Sequence, residues 1–251
     1  MLTECEEDMD AWTETADDEF GAGNDIYSTG VSSIERLAIQ MKENVTLQAC
    51  GPVISQCLEH QDWKVRQAGY LTSGLISESC KEHMKANMDT AFNTACKGIQ
   101  DQHPRVKYAG LICLTSLLVQ LKPLPQKKYH AELVPALLQI INSAELPKLR
   151  TQAVHCLFQF TSGLIEEDDN EINETKKSSD IMLSYSEPLF KSLVDNLTKA
   201  VDEQYEPMQE QVMNLLNAAA TLIEEKFADY FNQFMPLMEK IIDNVESKTP
   251  S

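Results

Sequence analysis

Apolar residues recur along this chain at steps of three and four, the spacing that puts them on one side of a helix. After Ser32-Ser33, which offers an N-cap, Ile34, Leu37, Ala38 and Met41 form a first stripe. A helix over 46–59 carries Ala49, Val53, Ile54, Cys57 and Leu58 on one side, despite Pro52 near its start. In the helix opened by Asp62, the buried stripe is expected to be Val65, Ala68, Leu71 and Leu75, with Trp63, Arg66, Tyr70 and Ser77 opposite. Equivalent stripes follow in Val106, Ala109, Cys113 and Leu117, and in Leu149, Ala153, Cys156 and Phe160. Helices at about 84–99 (Met84, Met88, Phe92, Cys96, Ile99) and 129–141 (Leu133, Leu137, Leu138, Ile141) precede those two. Three more are expected at about 182–202, 207–225 and 228–246.

The second helix of each pair opens on a related phrase: Asp62-Trp63-Lys64-Val65-Arg66-Gln67-Ala68, then Asp101-Gln102-His103-Pro104-Arg105-Val106-Lys107-Tyr108-Ala109, then Pro147-Lys148-Leu149-Arg150-Thr151-Gln152-Ala153. Trp63 and Pro104 lie 41 positions apart, and Pro104 and Pro147 lie 43 apart. A period of this size points to stacked helix pairs of the HEAT or armadillo type. The expected fold is therefore all-α, an α-solenoid of HEAT-type pairs forming a segment of right-handed superhelix. Asp62 and Asp101 sit at or just before a cap, and Pro104 and Pro147 lie just inside a helix start, where the missing N–H carries no penalty. Ala68, Ala109 and Ala153 are expected where paired helices cross closely, and added bulk there would cost roughly 1–3 kcal/mol. The spans read as an acidic, flexible segment at 1–30, repeats at 31–164 (a half repeat 31–45, then 46–80, 81–122 and 123–164), an acidic insertion loop at 165–181, and a further repeat with a terminal helix at 182–247.

Charge narrows the function. At a formal −18 and a pI near 4.6, the chain is a poor direct partner for nucleic acid, whose binding depends on clustered Lys and Arg. Basic proteins are the natural partners, with salt-sensitive contacts. Between residues 4 and 25 there are ten acidic residues and no Lys or Arg, a composition that predicts flexibility. Trp12, Phe20 and Tyr27 are spaced so that they could dock onto the adjacent repeats or onto a partner. Seven cysteines without a Cys-x-x-Cys pair, mostly in apolar helical stretches, read as core hydrophobes in a reducing compartment. No apolar run reaches the roughly 20 residues that span a bilayer, so membrane insertion is not expected.

The residues give no argument for catalysis. His60, His83, His103, His130 and His155 lack the i, i+4 pairing and Cys partners of a zinc site, and His103 reads as part of a helix entry. Gly21-Ala22-Gly23 is too short for a phosphate cradle, and Glu166–Asp169 lacks the spacing of a calcium loop. No cofactor or metal is expected. A binding surface is, the alternative being that Trp63 and Tyr70 only cover gaps between neighbouring repeats: Trp63, Gln67, Tyr70, Tyr108 and Gln159 on second helices, with Glu78 beside them. There aromatic rings would pack lysine stems, amides would bond a peptide backbone and carboxylates would pair ammonium heads. The acidic groups Glu6, Glu7, Asp8, Asp17, Asp18, Glu19, Asp168 and Asp169 would extend this surface.

The runs from Gln61 to Gly69 and from Asp101 to Ala109, together with Glu224-Glu225-Lys226-Phe227-Ala228-Asp229-Tyr230-Phe231-Asn232-Gln233-Phe234-Met235-Pro236, resemble the importin-β superfamily of nuclear transport receptors, in particular its importin-five (Kap121-type) branch. The resemblance covers most of 31–247, and the acidic stretch with Trp12 is similar to one at that place in the family. It implies a middle fragment of a longer receptor, with outer first helices and inner second helices. It further implies recognition of basic nuclear localisation signals on a concave inner face, cargo release by Ran-GTP, nucleoporin partners, and shuttling between cytoplasm and nucleus through the pore. The alternative is a HEAT scaffold or adaptor with no transport role.

Overall fold

The computed structural model describes residues 2, 3, 5, 8–14, 26–165 and 172–248, and among these every regular element is a helix. The chain forms two compact units, 1–125 and 126–251. The first contains α1 (Met9–Glu14), α2 (Ile26–Gln40), α3 (Glu43–Leu58), α4 (Trp63–Leu75), α5 (Lys81–Ala86), α6 (Met88–Ile99) and α7 (Pro104–Gln120). In it α3 pairs with α4 and α6 with α7, while the second helices α4 and α7 pack side by side. This two-layer stacking of helix pairs is the HEAT arrangement expected from the period. Nearly all of the second unit is α8 (Leu124–Ser143), α9 (Pro147–Ile165), α10 (Ile172–Asp202), α11 (Glu206–Ile223), a short 3-10 turn (Glu224–Phe227) and α12 (Ala228–Lys248). There α9 and α11 pack together as second helices. Ser192 Oγ donates to Asn142 Oδ1 at 2.6 Å and ties α10 to α8 in the other layer, where α12 also packs on α10. Phe190 centres an aromatic cluster with Phe227, Tyr230 and Phe234.

The start signals of α4 and α7 act as the sequence suggests, whereas Ser32-Ser33, expected to cap a helix, lie inside α2. The Asp62 carboxylate accepts from Lys64 N–H at 3.0 Å as the N-cap of α4, and the His103 ring accepts from Arg105 N–H as the N-cap of α7, with Pro104 first in the helix. The expected helix over 84–99 is divided at Asn87, whose side-chain amide donates to His83 O at 3.0 Å. An Asn that bonds nearby backbone in this way competes with helix propagation.

Several expectations change. α10 begins at Ile172, inside the span expected to be an acidic loop, while residues 166–171 lie outside the described ones. In the acidic segment, residues 9–14 form α1 and α2 begins at Ile26. The stripe on α7 and that on α9 are buried as expected. On α4 only Leu71 of its stripe is fully buried, while Gln67, Gly69, Tyr70 and Gly74 are. A second helix packs against its own pair partner and also against the neighbouring second helix, so its core is wider than one stripe. Leu37 and Val53, placed on apolar sides of their helices, are 58% and 57% exposed.

The close crossings also fall one residue later than expected in the first unit. A Cβ at Gly69 would lie 2.9 Å from Cys57 Cβ, and a Cβ at Gly110 only 2.5 Å from the carbonyl carbon of Gly98. The helices approach through glycine, beside Ala68 and Ala109, because only a residue without Cβ admits backbone at that distance.

Candidate functional site

The starts of α4 and α7 carry a cluster of polar and aromatic side chains. Arg66 holds Asp101 with Nε at 2.8 Å from Oδ2 and an Nη at 3.0 Å from Oδ1, and its other Nη donates to the His60 and Gln61 carbonyls at 2.9 and 2.8 Å. One guanidinium thus closes the α3–α4 turn and clamps it to the loop before α7. Burial works against the Asp101 carboxylate, but the hydrogen bonds from Arg66 and from the His103 N–H outweigh it and hold its pKa below the ordinary value. Trp63 stacks on His103 with ring centroids 4.0 Å apart and planes 7° from parallel. Burial, helped by Arg105 and Arg66 and opposed by Asp101, pushes the His103 pKa down.

Beside this clamp lies a second set of contacts. Arg105, 3% exposed, sits between two indoles, its guanidinium carbon 5.0 Å from the Trp12 ring centre and 5.7 Å from that of Trp63. Trp12 is itself only 2% exposed and meets Tyr108 edge to face at 5.3 Å. Lys64 Nζ lies 5.9 Å from the Trp63 ring centre. Further back along the same segment, the Cys5 thiol points at Gln67 Oε1 at 3.9 Å. The Asp8 carboxylate accepts from the Asp10 and Ala11 N–H groups and so starts α1, the turn that carries Trp12.

The proposed peptide row is therefore rearranged. Gln67, Tyr70 and Tyr108 are 2%, 5% and 3% exposed, buried where they were expected to face outward. Tyr70 lies on the backbone of Gly98, and burial pushes its pKa up to about 12. Gln67 and Tyr108 lie beneath the N-terminal segment. Trp63 is half-buried in its stack, Glu78 is exposed in the turn after α4, and Gln159 is half-buried on α9 of the other unit. Of the acidic groups, Glu6, Glu7, Asp17, Asp18, Glu19, Asp168 and Asp169 lie outside the described residues, as does Phe20; Asp8 is exposed. Sequence reasoning missed Arg105 and His103 as ring partners. The available signal was the recurrence of a cation at the second position of each of these helices, in Lys64, Arg105 and Lys148.

Among the described residues no helix is long and apolar enough to cross a membrane. No family model matches the chain. In sequence it is 22% identical over 245 residues to importin subunit beta-3 of Saccharomyces cerevisiae, covering 96% of this chain and 21% of that protein. It is 27% identical over 108 residues to a probable importin subunit beta-4 of Schizosaccharomyces pombe, covering 43% of this chain and 10% of that one. The chain thus spans about a fifth or less of the length of these relatives. In fold it matches Kap121p bound to RanGTP with a TM-score of 0.80 at 21% identity, over 97% of this chain and 22% of Kap121p. Kap121p bound to Pho4p matches at 0.79 and 21%, over 96% and 22%. In sequence the chain is thus similar to importin β subunits, and its fold is that of the Kap121p solenoid.

Proposed function

We propose that this chain works as part of a nuclear import receptor, which binds basic localisation signals through its second helices and gives up cargo when the whole receptor meets Ran-GTP. The observation that carries this reading is the match, over nearly the whole chain, to a protein captured with RanGTP. Kap121p has also been captured with Pho4p and with the nucleoporin Nup53p, which supports cargo, nucleoporins and passage through the pore as the setting of the intact receptor. The charge of −18 favours basic cargo.

Burial narrows which side chains are open to such cargo. Glu78 offers an exposed carboxylate, and Trp63 and Gln159 keep partial access, whereas Gln67, Tyr70 and Tyr108 are covered. A dye-labelled lysine-rich localisation-signal peptide titrated against the wild-type chain and a Glu78→Lys variant tests this. Replacing an attraction by a repulsion should weaken binding by roughly tenfold. Equal affinity would remove Glu78 from the site, and absence of any peptide binding to either form would remove the cargo reading from this chain.

A further inference from the structure

An acidic protein that buries a tryptophan of its own most acidic stretch has a site suited to receive one. Trp12 is flanked on one side by the Arg105 guanidinium, which is backed in turn by Trp63, and on another by the edge of Tyr108. A cation held between two indole faces is attracted by both ring quadrupoles, and an edge-to-face ring adds directional contact. Seven positions before it in sequence, Cys5 reaches Gln67, so the segment crosses from α4 to α7 and reads two successive repeats. The carboxylates that accompany it, Asp8 and Asp10, are exposed. The starts of α4 and α7 also carry the positive ends of their helix dipoles.

We propose that the face formed by Trp63, Gln67, Arg105 and Tyr108 is a recognition site for an acidic segment anchored by a tryptophan. Cys5 and residues 8–13 fill it in cis, and an acidic, tryptophan-bearing peptide of a partner takes the same place when they leave. The ligand is thus opposite in charge to the basic signals considered above, and the site does not depend on the cargo reading.

The test uses the full chain and, as probe, a dye-labelled synthetic peptide of residues 2–14. In the wild type the resident segment competes at an effective concentration on the order of millimolar, so the added peptide binds poorly. The Trp12→Ala variant, with its helicity and melting checked, should bind the peptide about tenfold more tightly than the wild type, and adding Arg105→Ala should remove the gain. Equal binding by wild type and Trp12→Ala would overturn the proposal. So would equal binding of the peptide and its Trp12→Ala counterpart, which would leave charge alone. A second measurement is independent of the Trp12→Ala fold. With Gln67→Cys in the otherwise native chain, mild oxidation should join Cys5 to the new thiol faster in the folded than in the urea-unfolded protein. Equal or slower joining when folded would also overturn it.

Discussion

Arg66 makes four hydrogen bonds, two to Asp101 and two to the carbonyls of His60 and Gln61. Removing it orphans a largely buried carboxylate and two turn carbonyls together. Arg66→Ala is therefore expected to cost roughly 1–3 kcal/mol, read as a lowered urea midpoint at unchanged slope. His103 gives a pH dependence of definite sign. Its folded pKa lies below the unfolded value of 6.5, so the neutral ring's contribution is complete above pH 6.5 and is lost as the pH falls through the folded value. Melting temperature should decline as the pH is lowered below 6.5, and His103→Asn should flatten that part of the profile. A profile unchanged by His103→Asn would exclude this residue as the source. Capping by Asp62 and the helix entry at Asp101 and His103 were legible because a cap is decided within three residues of sequence. The burial of Gln67, Tyr70 and Tyr108 was not, since amphipathic side chains are read as outward unless the elements that cover them are known.

At the level of elements, the crossing of α6 and α7 rests on backbone against backbone at Gly98 and Gly110. The phrase located this crossing to within one residue, naming Ala109 where Gly110 makes the approach. An error of one position is about 100° around a helix, and a helix apolar on several sides gives periodicity little to choose between. Gly110→Ala places a methyl 2.5 Å from the Gly98 carbonyl carbon, with no flexible side chain able to yield. The expected loss is about 2 kcal/mol or more, measured by urea unfolding, whereas Ala109→Gly should cost about 1 kcal/mol through helix propensity. The order of these two losses tests which residue sets the helix spacing. The docking of α1 was only partly legible. Spaced aromatics marked the acidic stretch as able to fold back, yet the place where Trp12 lands depends on Arg105, whose role emerges only when α4 and α7 stand side by side.

For the molecule as a whole, period and composition were the informative signals. They led to stacked helix pairs and to a strongly acidic composition, while the particular phrasing of the repeats led to a resemblance to the importins. A chain at −18 should bind lysine-rich peptides more weakly as salt rises, because the Debye length falls from about 10 Å at 0.1 M to about 3 Å at 1 M. An affinity that stays constant over that range would mean that contacts other than charge dominate. Occupancy of the Trp12 site should be less sensitive, since its anchor is a buried indole. The chain contains two tryptophans, and both flank the same guanidinium. Release of the acidic segment would expose one indole to water and strip the shared cation of a partner, shifting the ultraviolet emission to longer wavelength and opening it to a soluble quencher. The protein carries its own optical gauge of whether that segment is seated.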